Sequence, residues 1–360
     1  MRFPSEPEKT EELILTAINA GINYFDTAYI YKGSEEALGH VLHKNDLRKK
    51  VNIATKLPVF MCRKFDDFER IFNKQLSRLK TDYIDYYLMH MLNNPDQWKQ
   101  LREAGIEDWL HEKQSQGKIK NIGFSYHGKQ TDFNDLVDIY KWDFCMIQYN
   151  YLDINHQAGL QGLQYAHSKN IPVMIMEPLR GGLLVNSPTK ITQSPADLAL
   201  RWVWNHSEVT LLLSGMANME QLQENIESAN EPYITDEEQQ VVESLTSAYK
   251  AQNRIPCTAC GYCMPCPVGV NIPGCFSAYN SFYAIKKSYS KYILETGAII
   301  SPKGRASDCI NCSKCEPLCP QSIPIQAELK KVAKRMEPLW FKLGIPLARK
   351  FMTKKKKRGG

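Results

Sequence analysis

Eight of the eleven cysteines stand in two short runs near the C-terminus of the 360-residue chain. Three cysteines at three-residue spacing can wrap one face of a 4Fe–4S cluster, and a fourth cysteine before a proline ligates the second cluster of a pair. Both runs have this pattern: Cys257-x2-Cys260-x2-Cys263-x2-Cys266-Pro267 and Cys309-x2-Cys312-x2-Cys315-x3-Cys319-Pro320. The spacing therefore predicts two 4Fe–4S clusters.

Each predicted ligand set combines three cysteines of one run with the last cysteine of the other. The sets are Cys257, Cys260, Cys263 and Cys319 for the first cluster, and Cys309, Cys312, Cys315 and Cys266 for the second. Zinc is an alternative, but structural zinc usually takes two separated pairs of ligands, often with histidine. Disulfides are typical of small secreted chains, and the N-terminus lacks the apolar core of a signal peptide. Iron–sulfur clusters in a reducing, cytoplasmic setting are therefore favoured.

The first 230 residues alternate strand-like and helix-like segments. Short apolar or β-branched runs lie at Ile22–Thr27, Val51–Leu57, Tyr83–His90, Ile119–Ser125, Phe144–Tyr149, Pro172–Pro178 and Val209–Ser214. Amphipathic helical patterns such as Phe65–Lys80 and Asn218–Ala229 separate them. Apolar strands joined by helices indicate a parallel sheet that is buried on both faces.

Seven strands leave two fold classes open. A (β/α)8 TIM barrel needs eight strands, and this chain opens with a helix at about Pro7 to Ala20. Either the fold is an open doubly wound sheet, or it is a barrel whose first strand is missing. Asp26, Lys56 and His90 lie at or near the ends of three successive strands, where barrel enzymes keep their active sites. The polar residues therefore favour the barrel.

The sequence resembles the aldo/keto reductase family, in the subgroup that has a C-terminal 4Fe–4S dicluster ferredoxin domain. The resemblance extends from Gly21–Ala28 to Cys319-Pro320-Gln321. Supporting stretches are Ile122–Ser125, Gln148–Asn150, Glu177–Leu179 and Glu224–Ile226. The resemblance implies a barrel followed by a small ferredoxin-like domain, and an NAD(P)-dependent oxidoreductase that acts on a carbonyl or alcohol substrate.

The resemblance also implies a catalytic tetrad of Asp26, Tyr31, Lys56 and His90. Tyr31 would donate the proton to a carbonyl oxygen while nicotinamide delivers hydride to the carbon. Lys56, held by Asp26, would lower the tyrosine pKa from its ordinary value near 10. His90 would orient the carbonyl and donate a hydrogen bond to the developing negative charge.

Nicotinamide contacts follow from the same resemblance. Ser125 and Gln148 occupy the positions that hold the carboxamide. Met176 stands where the family usually has an aromatic residue against the ring, and its thioether is a soft surface for that ring. Arg180 and Gly182 belong to a loop suited to a pyrophosphate, with a solvated loop as the alternative.

The adenine end of the cofactor is implied to lie after the last strand. Ser214, Gly215 and Gln221 occupy a segment where the family often has Lys and Arg for the 2′-phosphate, and Asn225 is the implied adenine contact. Because those cations are absent, the choice between NADPH and NADH stays open, with a lean to NADPH from the resemblance.

The domain organisation is predicted as a barrel at 1–230, a linker helix at 231–256, a dicluster domain at 257–327 and a basic amphipathic tail at 328–360. Residues 321–360 hold 12 Lys and Arg against 2 Asp and Glu, so the net charge of +6 leaves −4 for the rest. Nucleic-acid binding therefore has no support. The tail, which ends in Lys354–Arg358, is typical of a solvated segment, and contact with anionic lipid is the alternative.

The missing first strand has an expected explanation. Relatives begin with a hairpin and a strand that ends in a Met-Arg-Phe-Pro-like turn, and this chain starts at Met1-Arg2-Phe3-Pro4. We expect either that Met1 is an internal methionine or that the chain is a fragment. An in-frame stop codon directly upstream of Met1 would contradict the first version.

Three functions remain open. The favoured one is an oxidoreductase that transfers hydride between nicotinamide and a small carbonyl or alcohol, with two clusters relaying electrons. Hydride moves two electrons and a cluster accepts one, and the chain has no Gly-x-Gly-x-x-Gly fingerprint for a flavin nucleotide. The clusters would then serve a redox partner protein or a bound flavin. The alternatives are a carbonyl reductase with structural clusters and an electron-transfer or redox-sensing protein on an inactive barrel.

Overall fold

Seven short apolar segments pair side by side as one parallel sheet. In this computed structural model, which describes residues 3, 6–252, 254–284, 289–299, 301, 303–342 and 344–346, the strand order follows the chain order. The strands are β1 (Tyr24–Asp26), β2 (Asn52–Pro58), β3 (Ile84–His90), β4 (Ile119–Tyr126), β5 (Phe144–Gln148), β6 (Val173–Met176) and β7 (Val209–Leu212). Every neighbouring pair is parallel.

The strand order decides between the two predicted folds. A doubly wound sheet reverses its strand order at a switch point, whereas a barrel adds each strand beside the last. The sequential order confirms the TIM-barrel prediction, and the described residues form seven of its eight strands. Within the described residues β1 and β7 do not pair with each other. Met1, Arg2 and Pro4 of the expected turn lie outside the described residues.

Nine helices of the described chain surround or connect these strands. They are α1 (Pro7–Asn19), α2 (Ser34–Lys44), α3 (Phe65–Leu79), α4 (Pro95–Glu103), α5 (Ile106–Ser115), α6 (Gln130–Asp138), α7 (Gly159–Ser168), α8 (Pro195–Trp204) and α9 (Met219–Asn230). Side chains cap several of their N-termini. Ser194, which precedes Pro195, accepts from the Asp197 N–H, and Asn218 accepts from the Gln221 N–H.

The sheet has a core on each face, because alternate residues of a strand point to opposite sides. Toward the helices, the Tyr87 ring of β3 packs edge-on against Phe72 of α3 at 5.3 Å. Toward the sheet interior, Leu88 lies in a cluster with Ala54, Phe144, Met146 and Met174. Burial of side chains of this size contributes about 1.5–3 kcal/mol each. Packing on both faces of the sheet fixes the register of the strands and therefore the positions at which the strands end.

A second compact unit contains Arg180–Ile191 and the chain from Glu243 onward. Its helices are α10 (Asp236–Gln252), which begins in the first unit, α11 (Ile272–Ala284), α12 (Ser290–Glu295) and α13 (Ile325–Met336). Its core includes Phe276, Phe282, Leu329, Val332 and Phe341. The division falls at Val242, inside the predicted linker helix. The predicted domain boundaries themselves stay predictions.

Glu337 connects the segment just before the second cysteine run to this core through hydrogen bonds. Its carboxylate, in a residue only 2% exposed, accepts hydrogen bonds from the Tyr292 hydroxyl at 2.7 Å and from the Ser307 hydroxyl at 2.5 Å. The predicted tail enters this unit as α13, while Lys354–Arg358 lie outside the described residues. No helix in the described part of the chain is long and apolar enough to cross a membrane.

Candidate active site and cysteine cavities

The predicted tetrad gathers at the carboxyl ends of the first three strands. Asp26 ends β1 and His90 ends β3, while Lys56 lies two residues before the end of β2. The register places Asp26 beside Ala54 and His90 beside Pro58, so all three side chains belong to neighbouring strands at one edge of the sheet. Tyr31 lies in the loop between β1 and α2. The strands thus bring all four residues together.

Lys56 is buried, and its ammonium group is hydrogen-bonded to three oxygen atoms. Its Nζ lies 2.6 Å and 2.5 Å from the two carboxylate oxygens of Asp26, and it donates to the Thr27 carbonyl at 2.7 Å. Burial lowers the pKa of Lys56 from its ordinary value, and the Asp26 carboxylate opposes that shift. An ion pair in such a poorly hydrated place interacts much more strongly than one in water. Asp26 therefore holds both the position and the charge of Lys56.

Tyr31 and His90 complete the cluster. The Lys56 Nζ lies 5.3 Å from the centre of the Tyr31 ring, and the rings of Tyr31 and His90 meet edge-on with centres 5.9 Å apart. His90 is 2% exposed, and its Nδ1 has no hydrogen-bond partner among the described residues. Burial, followed by the nearby charges of Lys56 and His127, holds the pKa of His90 well below its ordinary value. His90 is therefore a neutral imidazole at pH 7.

A buried polar network behind Lys56 escaped the sequence analysis. The Glu35 carboxylate accepts from the Thr55 hydroxyl at 2.6 Å and pairs with the Arg78 guanidinium at 3.0 Å. The Gln75 amide donates to Glu35 at 3.1 Å and to the Lys56 carbonyl at 3.0 Å. The network fixes the backbone of β2 from the helix side. Its sequence signal is weak, because Glu35 is one of two acidic residues in the first turn of a helix.

His127 is a second residue that the sequence analysis missed. It follows β4 directly, and the ring Nδ1 lies 3.1 Å from the Gln157 Oε1. Its backbone N–H donates to the Asn93 side chain at 2.8 Å. Burial lowers the pKa of His127 to about 4, although the Gln157 hydrogen bond opposes the shift. The available signal was its place just past a predicted strand end, the same signal that selected His90.

The predicted nicotinamide contacts lie at the next strand ends. Ser125, near the end of β4, accepts from the Met91 N–H at 3.0 Å, so it is linked to the residue after His90. Gln148 ends β5 beside Met176, which ends β6. Gln148 is fully buried, and its amide donates to the His156 carbonyl at 3.3 Å. Met176 packs against the cluster of core residues inside the sheet.

The predicted pyrophosphate loop belongs to the second compact unit. Arg180 is 6% exposed, and it, Gly181 and Gly182 all have positive φ angles, of 49°, 63° and 89°. An ideal Cβ on Gly181 would lie 2.4 Å from the Thr258 carbonyl oxygen, so the loop backbone packs directly on the first cysteine run. The assignment of Arg180 and Gly182 to a pyrophosphate stays a prediction.

The predicted adenine-end residues group around the N-terminus of α9. The Asn225 amide donates to the Ser214 hydroxyl at 2.8 Å. The Gln221 side chain turns back to accept from the Ala217 N–H at 2.8 Å. No atom lies within 4 Å of the position that a Cβ on Gly215 would occupy. Ser214, Gly215, Gln221 and Asn225 therefore share one neighbourhood, while their role as cofactor contacts stays a prediction.

The eight cysteines of the two runs surround two cavities. Cys257, Cys260, Cys263 and Cys319 line the first cavity. The second cavity is lined by Cys266, Cys309, Cys312 and Cys315, and Cys263 lines both cavities. The last cysteine of each run thus lies with the other run. No three acidic, histidine or cysteine side chains of the described chain could hold a single metal ion.

The cysteines of the two runs are half-buried, apart from Cys312, which is exposed. Burial raises the pKa of Cys257 to about 11 and that of Cys263 to about 12. Such thiols deprotonate when a bound metal supplies positive charge, which is the chemistry of cluster ligation. All eleven cysteines, which lie within the described residues, are thiols, so the disulfide alternative is wrong.

Comparisons with known proteins agree with this geometry. A sequence model of the aldo/keto reductase family matches residues 2–193 and 189–246, and one of a 4Fe–4S dicluster domain matches residues 256–323. The uncharacterized oxidoreductase YqkF of Bacillus subtilis is 26% identical over 70% of this chain and 92% of its own length. The NADH-specific methylglyoxal reductase of Escherichia coli is 26% identical over 61% of this chain and 82% of its own.

A solved structure shares the fold. The holo form of aldo-keto reductase AKR11C1 from Bacillus halodurans superposes with a TM-score of 0.57 and 21% sequence identity, over 67% of this chain and 88% of that one. At this level of identity the likeness concerns the fold alone.

Proposed function

The chain belongs to the aldo/keto reductase family, and on that premise we propose that it is an NAD(P)-dependent oxidoreductase with an electron-relay domain. Its barrel transfers hydride to or from a small carbonyl or alcohol substrate. Its cysteine domain, which matches a 4Fe–4S dicluster domain, binds two clusters that relay electrons. The observation that supports the hydride chemistry best is the buried Lys56–Asp26 ion pair, with Tyr31 and His90 beside it.

Tyr31 is the proposed proton donor to the substrate oxygen. The charge of Lys56 near the tyrosine ring favours the tyrosinate form, so it lowers the cost of giving up the proton. Asp26 keeps that charge in place through both of its oxygens. As a neutral imidazole, His90 can donate one hydrogen bond to the same oxygen while negative charge develops there. Its unpartnered, buried Nδ1 is in keeping with a site built for a polar ligand.

Nicotinamide supplies the hydride when it is bound. Ser125 and Gln148 are the proposed holders of its carboxamide, and Met176 is the proposed surface for its ring. Arg180 and Gly182 remain the proposed contacts for the pyrophosphate.

The adenine end is assigned to Ser214, Gly215, Gln221 and Asn225. The segment Ser214–Gln221 contains one acidic residue and no cation, so it offers nothing to balance a 2′-phosphate. The Escherichia coli relative is NADH-specific by its name. We therefore propose that NADH is the better cofactor, whereas the family resemblance alone favoured NADPH.

The ligand sets proposed for the clusters remain the crossed ones. The first cluster takes Cys257, Cys260, Cys263 and Cys319, and the second takes Cys266, Cys309, Cys312 and Cys315. The support is that each set shares one cavity. Each cluster accepts one electron where hydride moves two, so a redox partner protein or a bound flavin is the proposed link for the relay.

Kinetics of a Tyr31→Phe variant test the hydride chemistry. With NADH and methylglyoxal as the probe carbonyl, we expect kcat to fall at least about 100-fold, because a positioned general acid contributes 10²–10⁴-fold. NADH binding, followed by fluorescence, is expected to stay unchanged. A variant that keeps full turnover would refute the assignment of Tyr31.

An anaerobic titration tests the relay. Iron-reconstituted protein is titrated with NADH, with NADPH and finally with dithionite while the visible cluster absorbance is recorded. Bleaching by a nicotinamide supports one redox circuit. Bleaching by dithionite alone contradicts a direct path from nicotinamide to the clusters and favours a carbonyl reductase with structural clusters.

A further inference from the structure

Two buried polar side chains face the first cavity without a partner. Thr258 is 7% exposed and Gln321 is 4% exposed. Neither the Thr258 hydroxyl nor either polar atom of the Gln321 amide hydrogen-bonds to any described residue. Buried polar groups in folded proteins are nearly always hydrogen-bonded, so each exception calls for an explanation. The two exceptions lie in one place, because both residues line the cavity of the first cluster.

The rest of that cavity offers these groups little to bond with. Apart from the four cysteines, the other described lining residues are glycine, proline and apolar side chains: Gly261, Ile272, Pro273, Phe276, Pro320, Ile323 and Ile325. Among the other side chains that line the cavity, only the cysteine sulfurs can accept a hydrogen bond. One of them already accepts from the backbone, since the Ala259 N–H lies 3.4 Å from the Cys257 sulfur. The first cavity therefore brings the donors of Thr258 and Gln321 together with the cysteine sulfurs.

The second cavity provides an internal comparison. Its lining also contains amide and hydroxyl side chains, those of Gln326 and Ser313. These two side chains are hydrogen-bonded to each other, because the Gln326 amide donates to the Ser313 hydroxyl at 2.7 Å. Cys312 of this cavity is exposed, and so are Ile310 and Leu318. Buried unpartnered donors thus distinguish the first cavity from the second.

We propose that the Thr258 hydroxyl and the Gln321 amide donate hydrogen bonds to sulfur atoms of the first cluster and thereby raise its reduction potential. Reduction adds negative charge that is spread over the cluster sulfurs. Donors aimed at those sulfurs stabilise the reduced form more than the oxidised form, so the potential rises. The two residues follow Cys257 and Cys319-Pro320, which places one donor at each end of the ligand set. The inference rests on the proposed ligand set.

Redox titrations monitored by electron paramagnetic resonance test the proposal on the full, iron-loaded chain. Thr258→Val and Gln321→Leu each remove the donor at nearly constant shape. We expect each variant to lower the midpoint potential of one cluster only, and the double variant to lower it further. Thr258→Ser keeps a hydroxyl and should restore the potential that Thr258→Val loses. Gln326→Leu, the matched control at the second cavity, should leave the first cluster unchanged.

The affected cluster is identified with Cys312→Ser, which exchanges a proposed sulfur ligand of the second cluster for oxygen and so marks that cluster's signal. Variants with full iron content and unmoved potentials would overturn the proposal. Equal shifts in both clusters would also overturn it, because a general change of solvation would explain them. A wild-type chain that never binds the first cluster would overturn the ligand set and this inference together. Iron and sulfide analysis separates that failure from the others.

A spectroscopic measurement on the wild-type protein tests the hydrogen bond even where a variant does not assemble its clusters. Wild-type protein is labelled with nitrogen-15 in its glutamine side-chain amides, and pulsed paramagnetic resonance is recorded on the reduced first cluster. A coupling to an amide nitrogen is the expected result for Gln321. Absence of any coupling would contradict the hydrogen bond from Gln321.

Discussion

Lys56 holds a positive charge where water scarcely reaches, since the residue is 1% exposed. Two carboxylate oxygens of Asp26 and one backbone carbonyl take its three donors. A buried charge is tolerated only when it is paired and hydrogen-bonded in this way. The family resemblance implied this pair, and the strand-end positions of both residues indicated a shared site. The sequence contained no such signal for Glu35, which lies beside Glu36 in the first turn of a helix.

Removing the Glu35 charge tests the network behind Lys56. Glu35→Gln leaves the Arg78 guanidinium without its buried partner, so we expect the free energy of unfolding to fall by about 3 kcal/mol. We also expect kcat to fall, because Gln75 bonds both Glu35 and the Lys56 carbonyl. Urea unfolding and steady-state kinetics measure the two effects.

The matched control is Glu36→Gln. Glu36 pairs with the same Arg78 at 3.0 Å, but its side chain is 51% exposed. An exposed pair contributes about 0.2–1 kcal/mol at most. Equal losses in the two variants would contradict a special role for the buried carboxylate.

His127 should make the barrel sensitive to acid. Its folded pKa of about 4 lies below the ordinary value of 6.5, so the folded state favours the neutral ring. That stability is complete above pH 6.5 and is lost as the pH falls toward 4, up to about 3 kcal/mol. The buried His90 acts in the same direction. Urea unfolding followed by tryptophan fluorescence at pH 7 and pH 5 measures the loss.

His127→Asn is expected to shrink the difference between the two pH values. The exposed His40, replaced by Asn, serves as the control and should leave it unchanged. A His127→Asn variant that loses as much stability as the wild type between pH 7 and pH 5 would contradict the assignment.

At the scale of elements, the strands were predictable and the loop after β6 was not. Each strand is a short apolar run between polar turns, so burial on both faces leaves a clear pattern in the sequence. The loop Arg180–Ile191 groups with the cysteine unit, although it lies between β6 and α8 in the chain. Its glycines indicate a close approach, but glycine alone does not say to which surface. In the structure that surface is the backbone of Thr258.

Gly181→Ala tests that close approach. The new Cβ would meet the Thr258 carbonyl oxygen at 2.4 Å, which forces the loop off the first cysteine run. Gly182→Ala is the control, because its φ is also positive while nothing lies within 4 Å of its Cβ. Backbone strain costs each variant about 1–2 kcal/mol. We expect Gly181→Ala to lose about 1–3 kcal/mol more.

Unfolding of the iron-loaded protein, together with its iron content, measures this difference. The expected result is a lower unfolding free energy and less retained iron in Gly181→Ala than in Gly182→Ala. Identical behaviour of the two variants would show that the contact with Thr258 does not matter.

At the scale of the whole molecule, a barrel of the aldo/keto reductase family is followed in the chain by a segment that matches a 4Fe–4S dicluster domain. The family and the dicluster domain were both evident from residue spacing and motifs, and the matches to residues 2–246 and 256–323 confirm them. The cofactor preference was not evident, because the segment Ser214–Gln221 lacks the Lys and Arg that the family resemblance leads one to expect there.

Charge reversal at α9 tests the proposed preference for NADH. Glu220→Lys places a cation in the first turn of α9, so it should lower the KM for NADPH about 5-fold, which corresponds to about 1 kcal/mol. The KM for NADH should not change. Glu231→Lys, just past the end of the same helix, is the control for a general change of charge. Wild-type protein that prefers NADPH would contradict the proposal.

The most direct test of the central claim follows the hydride itself. Protein is mixed with methylglyoxal and NADH that carries deuterium on the transferred position of the nicotinamide, and the alcohol product is examined by mass spectrometry. Wild-type protein and the neighbouring control Tyr29→Phe should place deuterium on the former carbonyl carbon. In Tyr31→Phe the rate of this deuterium transfer should be lower by at least about 99%. Equal label transfer by Tyr31→Phe, or oxidation of NADH without label in any product, would contradict hydride transfer at this site.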